Sequence, residues 1–490
     1  MTVNPKKLRP YDVPPKRRRR LIPDGPDSAA TGFFVASALW LAIATGLGVL
    51  AIGLQLVTFE LSIPLLFGFS FELDQPRVEY AFVNATVFGW LSNAGFAAIT
   101  FMTPRLLGRR LAMEPIVTIA MAIWNLSLLG GISLLYLVEL SPTAPLSALW
   151  WLMDGGLAFG ALLVTVFFFT TAVTSLRTGY VSLWFAAVAL LAVAGLTGLN
   201  ALIGLVELFV DLPELLVALI SVYVERSLIV MWLLGTAYAV LHYVVPRASQ
   251  QPLASAGIGM LTFLTWLVLA PLSGLGELLD PSIPFAVTSL GNVGTILLLV
   301  PASLAVVNLF QTFQGRWTLL FGAGGIAFAA VSLAFLLGVS LLDAIGSLRS
   351  VQELVGATDW ERGTFVWATY GTFTLASFAL ADHALPRVLR RDWGGGLLST
   401  GMLWLTFGGA AIAGLALMGG GLAEGSLLAE GTAPADVASG LLVYRAIALG
   451  GLGLVALAGL AFLANLFLMY TSGRPAEYSA SGAVPAAAGH

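Results

Sequence analysis

Three short stretches decide how this chain is read: TFMTPRL (residues 100–106), LHYVVPR (241–247) and DHALPRV (382–388). Each closes a long apolar run with a Pro-Arg step, and Pro104, Pro246 and Pro386 stand 142 and 140 residues apart. Proline just past a helix end is a common stop signal, and arginine at a membrane-facing end reaches back to phosphate. One such step means nothing. Three, each four apolar runs after the last, predict a threefold internal repeat of four-helix units; the competing reading is chance reuse of a good helix terminator.

The intervals are filled by lipid-soluble sequence. The 490 residues are 58% hydrophobic and 10% charged, with a mean hydropathy of +0.92. A soluble domain of this length has no need of such a composition. Apolar runs occupy roughly residues 31–58, 80–103, 115–137, 148–175, 180–208, 222–245, 253–276, 284–311, 316–342, 362–385, 396–420 and 443–472. Each is long enough to cross the ~30 Å hydrocarbon core as a helix. None alternates with period two, so these are helices rather than barrel strands. The expectation is an all-α integral membrane protein with twelve transmembrane helices.

Charge is distributed one-sidedly. Eight cations lie in the first twenty residues: Lys6, Lys7, Arg9, Lys16 and Arg17 through Arg20. Arg105, Arg109, Arg110, Arg177, Arg247, Arg316, Arg387, Arg390, Arg391 and Arg474 follow even-numbered runs, so 18 of the 23 Lys and Arg fall on one side. The opposite connections carry acids: Glu60, Glu72, Asp74, Glu139, Asp211, Asp280, Asp343, Glu424 and Asp436. The positive-inside rule then places both termini in the cytoplasm. The organisation reads as a basic cytoplasmic arm (1–30), a twelve-helix membrane domain (31–472) and a disordered cytoplasmic tail (473–490). The arm's basic residues suit lipid headgroups, and no nucleic-acid signature accompanies them. The first run is too long for a cleaved signal peptide and reads as an anchor. With no cysteine, disulfides, thiolate metal centres and Cys-x-x-Cys-His haem attachment are excluded.

Residues 346–391, GSLRSVQELVGATDWERGTFVWATYGTFTLASFALADHALPRVLRR, carry a resemblance to a known family. Thr358, Asp359, Trp360, Gly363, Gly371, Pro386 and Arg387 fall where the C-family haem–copper oxidases, related to the nitric oxide reductases, carry T-D-W-x-x-G-H-V-H and its Pro-Arg end. GTAYAVLHYVVPRAS (235–249), LAPLSG (269–274) and NATVFGWLSNAGFAAITFMTPRL (84–106) resemble their sixth, seventh and second helices. The likeness is scattered over about residues 77–391. It implies the subunit I fold, twelve helices in three four-helix arcs, in a prokaryotic cytoplasmic membrane. The family's cofactors are two haems and a copper, held by six histidines because neutral imidazole suits both metals.

Here the matching positions hold other residues: Thr364 and Val366 for the His-Val-His pair, Phe82 in the second helix, Arg226 in the sixth, Leu272 and Ser273 in the seventh. The chain has three histidines; His490 is terminal, while His242 and His383 lie four and three residues before their prolines. His242 is ~24 Å along the helix from Arg226, the wrong depth for a shared metal site, and it and His383 read as interfacial side chains with a polar tip. No haem or copper is expected in this chain.

Intramembrane charge is costly and usually paired or functional. Glu225 and Arg226 in VYVERSLIV are the clearest case, facing different directions on a helix, with Asp154, Glu361 and Asp359 as expected partners for Arg226. The two readings are a structural salt bridge replacing metal-borne cohesion and a proton or anion pathway. Asp382 beside His383 reads either as a proton acceptor or as an interfacial pair. Asp154, Glu225, Arg226, Asp382 and His383 together are the candidate polar site. The glycine-rich stretches MGGGLAEG (418–425) and LGGLGLV (449–455) predict close helix packing and not phosphate loops. Three functions remain in view. The first is a non-catalytic structural or assembly subunit of a respiratory complex, with cytochrome or iron–sulfur partners. The second is an active terminal oxidase or nitric oxide reductase, and the third a proton-, ion- or quinone-handling protein.

Overall fold

The computed structural model describes residues 25–474, apart from 58–59, 65–69, 138–143, 174–178, 279–282, 322–323 and 394–395. Glu139, Arg177, Asp280, most of the basic arm, and the tail beyond 474 with His490 lie outside the described residues. Long helices dominate: α1 Ser28–Leu56, α2 Gln75–Leu107, α3 Glu114–Leu135, α4 Trp151–Ala172, α5 Val181–Glu207, α6 Glu214–Ser249, α7 Ala256–Glu277, α8 Phe285–Thr312 and α9 Gly325–Gly346. Then come α10 (359–389), α11 Gly396–Ala429 and α12 Pro434–Ser472. A small antiparallel hairpin, Leu61–Pro64 with Ser70–Leu73, joins α1 to α2.

Among the described residues, eleven helices are long and apolar enough to cross a membrane. α10, which holds the apolar run expected at 362–385, is not in that set. The reason is physical. The most apolar windows of α2 and α6 are 100% and 89% buried by protein, against 33–61% for the other nine helices, and α2 also has the lowest hydropathy of the eleven, 1.3. A helix surrounded by protein can carry threonine, tyrosine and charge, because its neighbours satisfy them; a helix facing lipid cannot. α10 is buried along most of its length in the same way.

The three Pro-Arg helices α2, α6 and α10 are therefore the centre, and they repeat in detail. Each contains one π-helical turn, Ala85–Leu91, Leu228–Leu233 and Trp367–Phe373, ending 13 residues before its proline. In α2 and α10 a hydroxyl donates five residues back, Ser92 Oγ to the Val87 carbonyl (2.7 Å) and Thr374 Oγ1 to the Thr369 carbonyl (2.8 Å). From α3 and α7 an indole reaches the turn, Trp124 Nε1 to the Phe88 carbonyl (2.9 Å) and Trp266 Nε1 to the Val230 carbonyl (3.0 Å). These groups pair carbonyls that the wider turn exposes, which is how a π-turn persists in a dry bundle. Trp90 Nε1 of α2 donates to Thr374 Oγ1 of α10, and Trp232 Nε1 of α6 donates to Ser92 Oγ of α2, both at 2.8 Å. Phe33, Phe185 and Phe328 of α1, α5 and α9 pack on Phe96, Tyr238 and Phe378, the residues eight before each proline. Equivalent positions make equivalent contacts, so the interval between the prolines is a structural repeat.

The prolines themselves are placed differently from expectation. Pro104, Pro246 and Pro386 lie inside their helices, three residues before the last one, instead of just past the end. Termination comes four residues after each proline, at Gly108, Gln250 and Arg390, all with positive φ (64°, 54° and 54°). The left-handed residue stops the helix. Proline only lacks the N–H that would bond the carbonyl four back, and at Asp382 that carbonyl accepts from Trp393 Nε1 instead (3.2 Å).

Candidate functional site

At the end of the bundle away from the Pro-Arg turns, α1, α2, α6, α9, α10 and α11 surround a cavity of about 640 Å³. Its inner walls are apolar, with Phe82, Ile229, Val339, Val366, Phe373 and Leu452 among them; toward the α9–α10 connection it is lined by acids and arginines. Four of the six positions singled out from the sequence line it: Phe82, Arg226, Thr364 and Val366. Leu272 and Ser273 do not; they sit at the end of α7 against Gly294 of α8, with Ser273 Oγ donating to the Ala270 carbonyl. The Phe82 ring lies parallel to Tyr370 (6.4 Å, 14°) and edge-on to Phe365 (6.0 Å, 79°), an aromatic cluster across α2 and α10. Thr364 Oγ1 donates to the Glu361 carbonyl (3.0 Å).

Arg226 is bonded differently from the sequence reading. Its Nη2 donates to Asp343 Oδ2 of α9 at 2.8 Å, and its Nε stands 3.7 Å from Glu277 Oε1 of α7. Among the described residues it makes no ion pair with Asp154, Asp359 or Glu361. Asp343 and Glu277 close the ends of their helices and so reach the depth of an arginine early in α6. Asp359, in contrast, is 1% exposed between two other arginines, Arg362 (2.5 Å) and Arg445 of α12 (2.9 Å), and its N–H donates to Glu424 of α11. Arg362 also forks onto Glu79 of α2 at 2.6 and 2.8 Å. This second network ties α2, α10, α11 and α12 together at one level, and Arg445 in the otherwise apolar LLVYRAIAL was its sequence signal.

The five-residue polar site does not exist as one place. Glu225 and Arg226 both line the cavity, which is wide enough to meet two side chains that leave one helix about 100° apart. Asp154 is 2% exposed in the first turn of α4 and does not line it. Asp382 and His383 lie ~25 Å further along α10, at the helical rise of 1.5 Å per residue from Val366. Asp382 Oδ2 accepts the Gly325 N–H at the start of α9 (2.8 Å), a capping role. His383 belongs to a ring of three side chains, each three residues before its proline: Phe101, Tyr243 and His383 meet edge-to-face with centroids 5.9–6.3 Å apart. His242 is 6% exposed, its Nδ1 bonded to the Tyr238 carbonyl (2.8 Å) and its ring beside Phe185. His242 is not the interfacial side chain expected, because α6 is enclosed by the other helices there, whereas His383 is half-buried at the Pro-Arg end of α10. Among the described residues no three His, Cys, Asp or Glu side chains are grouped to hold a metal ion.

Glycines set the packing beside the site. A Cβ on Gly421 would come within 2.1 Å of the Trp360 backbone N, and one on Gly425 within 1.9 Å of the Leu354 carbonyl. Gly409 and Gly451 bring α11 and α12 together in the same fashion, as the glycine-rich stretches predicted.

A multi-pass helical bundle with three equivalent central helices around such a cavity defines a class, and residues 28–453 match the family described as cytochrome c and quinol oxidase polypeptide I. The chain belongs to that family, the haem–copper oxidase subunit I family. It is 25% identical over 489 residues to the cbb3-type cytochrome c oxidase subunit CcoN1 of Stutzerimonas stutzeri, covering 92% of this chain and 96% of the relative. A second relative, cytochrome c oxidase subunit 1 of Rhodobacter capsulatus, is 25% identical over 195 residues, 39% of this chain and 36% of its own. The fold is similar to that in a cryo-EM structure of a haem–copper terminal oxidase dimer, with a TM-score of 0.74 at 15% identity over 93% of this chain and 85% of that one.

Proposed function

We propose that this chain is a subunit I homologue that holds neither haem nor copper and serves as a structural or assembly subunit of a membrane respiratory complex. The observation that carries the reading is Arg226. By the resemblance it stands at a copper-ligand position, and its guanidinium is bonded to Asp343 and close to Glu277. A guanidinium has no lone pair to give a metal and places a permanent cation where the metal cation would be. The other side chains fit no better: phenyl, isopropyl and isobutyl groups cannot ligate, and the neutral hydroxyls of Thr364 and Ser273, each donating to a backbone carbonyl, are poor substitutes for imidazole. The carboxylate-rich part of the lining would also repel the propionates of a haem. No redox step is therefore routed through this cavity.

The remaining architecture is read with it. α10 also spans the membrane, which brings the number of spans to twelve, the bundle forms three four-helix arcs around α2, α6 and α10, and the termini face the cytoplasm of a prokaryotic cell. The relatives are named as cytochrome c oxidase subunits, which supports other oxidase subunits as the partners; cytochrome or iron–sulfur proteins are proposed among them. The test is the absorption spectrum and metal content of the purified full chain, with co-purifying subunits identified. The expected result is cytochrome or iron–sulfur subunits in the complex and, in the chain separated from them, no Soret band and no stoichiometric copper or iron. Two haems per chain would restore the active oxidase or nitric oxide reductase reading, and a chain that always purifies alone would end the subunit assignment.

A further inference from the structure

We infer that the cavity between α2, α6 and α10 is a binding site for an amphipathic organic ammonium, an apolar or aromatic body carrying one protonated amine. The inference rests on the proposal that haem does not fill this space. Size comes first: about 640 Å³, with apolar inner walls, admits a small molecule and not merely water.

Charge comes second. Seven carboxylates line the cavity, against the two arginines Arg226 and Arg362. With Arg445 behind Asp359, three guanidiniums neutralise Glu79, Asp359, Asp343 and Glu277 between them. Among the described residues Glu225, Glu361 and Glu424 pair with no cation, so the lining carries an excess of carboxylates over guanidiniums in a low-dielectric surround, where an opposite charge is strongly attracted.

Hydrogen bonding comes third, and it selects the head group. Among the described residues, three buried side-chain atoms on the cavity lining have no hydrogen-bond partner: Glu225 Oε2, Gln55 Oε1 and Arg226 Nε, the last facing Glu277 Oε1 at 3.7 Å. Buried polar atoms are normally paired; the guanidinium nitrogen has an ion-pair partner in Glu277, whereas the two oxygens are acceptors with nothing to accept from, so their missing partner is a donor. An ammonium supplies donors and positive charge together. A quinone offers only acceptors to these acceptors, and a carboxylate or phosphate adds repulsion. Phe82 and Phe365 line the same cavity, and an aromatic ring attracts a cation.

The probes are three molecules of one skeleton, biphenyl-4-methylamine, biphenyl-4-methanol and biphenyl-4-carboxylate, titrated calorimetrically into the purified full chain in detergent, with empty micelles subtracted. The amine is expected to bind at one site per chain, at least tenfold more tightly than the alcohol, and the carboxylate not at all. Glu225→Gln should cost the amine tenfold or more while leaving the alcohol unchanged, and Ile229→Trp, which fills the inner wall, should abolish both. Equal binding of amine and alcohol, preference for the carboxylate, or amine binding indifferent to both substitutions would overturn the inference. The absorption spectrum separates the two proposals: a haem-loaded chain refutes the function, whereas a haem-free chain without amine selectivity refutes only this site.

Discussion

Replacing Arg226 with methionine removes the one cation that, among the described residues, pairs with acids at the meeting of α6, α7 and α9, while keeping most of the side-chain volume. Asp343 and Glu277 then face a low-dielectric space with no counter-charge. Stripping one partner from a fully buried pair costs about 3–5 kcal/mol. The three side chains keep 19%, 25% and 35% exposure, so water screens part of this and about 2–3 kcal/mol is the better expectation. The same loss should shrink when the stranded acid is neutralised. In the background Asp343→Asn, Arg226→Met should be milder by ~1 kcal/mol or more, since contacting charges couple. Adding Glu277→Gln should bring the bundle closer still to the parent. The assay is equilibrium unfolding of the five proteins in mixed micelles, followed by tryptophan fluorescence and circular dichroism in parallel. An Arg226→Met protein as stable as the parent, or an identical loss with and without Asp343, would refute the reading of Arg226 as the structural cation of this site.

The repeat makes a paired prediction: Trp90→Phe and Trp232→Phe should each lose about 1 kcal/mol of unfolding free energy through the missing indole hydrogen bond. A loss in one and not the other would break the equivalence of α2 and α6. Gly425→Ala should destabilise by about 1–3 kcal/mol or prevent folding, because its Cβ meets a carbonyl that cannot move, whereas Gly408→Ala, with open space around it, should stay within ~0.5 kcal/mol; thermal melts of both read this out. Asp382→Ala should cost about 1 kcal/mol through the lost bond to the start of α9 and leave amine binding at the cavity untouched. An effect of Asp382→Ala on that binding would return it to the functional site.

The sequence by itself determined what depends on local rules. Apolar run length set the helices, because the bilayer demands about 20 apolar residues per crossing wherever they fall. The spacing of Pro104, Pro246 and Pro386 announced the repeat, and the residues of TDWERGTFV placed Thr364 and Val366 by resemblance. Only the tertiary structure decided who meets whom. Arg226 was assigned Asp154, Asp359 or Glu361 and bonds Asp343, near Glu277, instead; depth along a helix is readable from sequence, but the neighbour at that depth is set by which helices adjoin α6. Asp382 and His383, adjacent in sequence, part company in space: one caps α9 and the other joins Phe101 and Tyr243. That ring was latent in the text, three residues before each proline, yet nothing local requires three such positions to touch. The cavity is the extreme case, because its acids and arginines come from helices hundreds of residues apart, and only packing brings their charges close enough to act on one another.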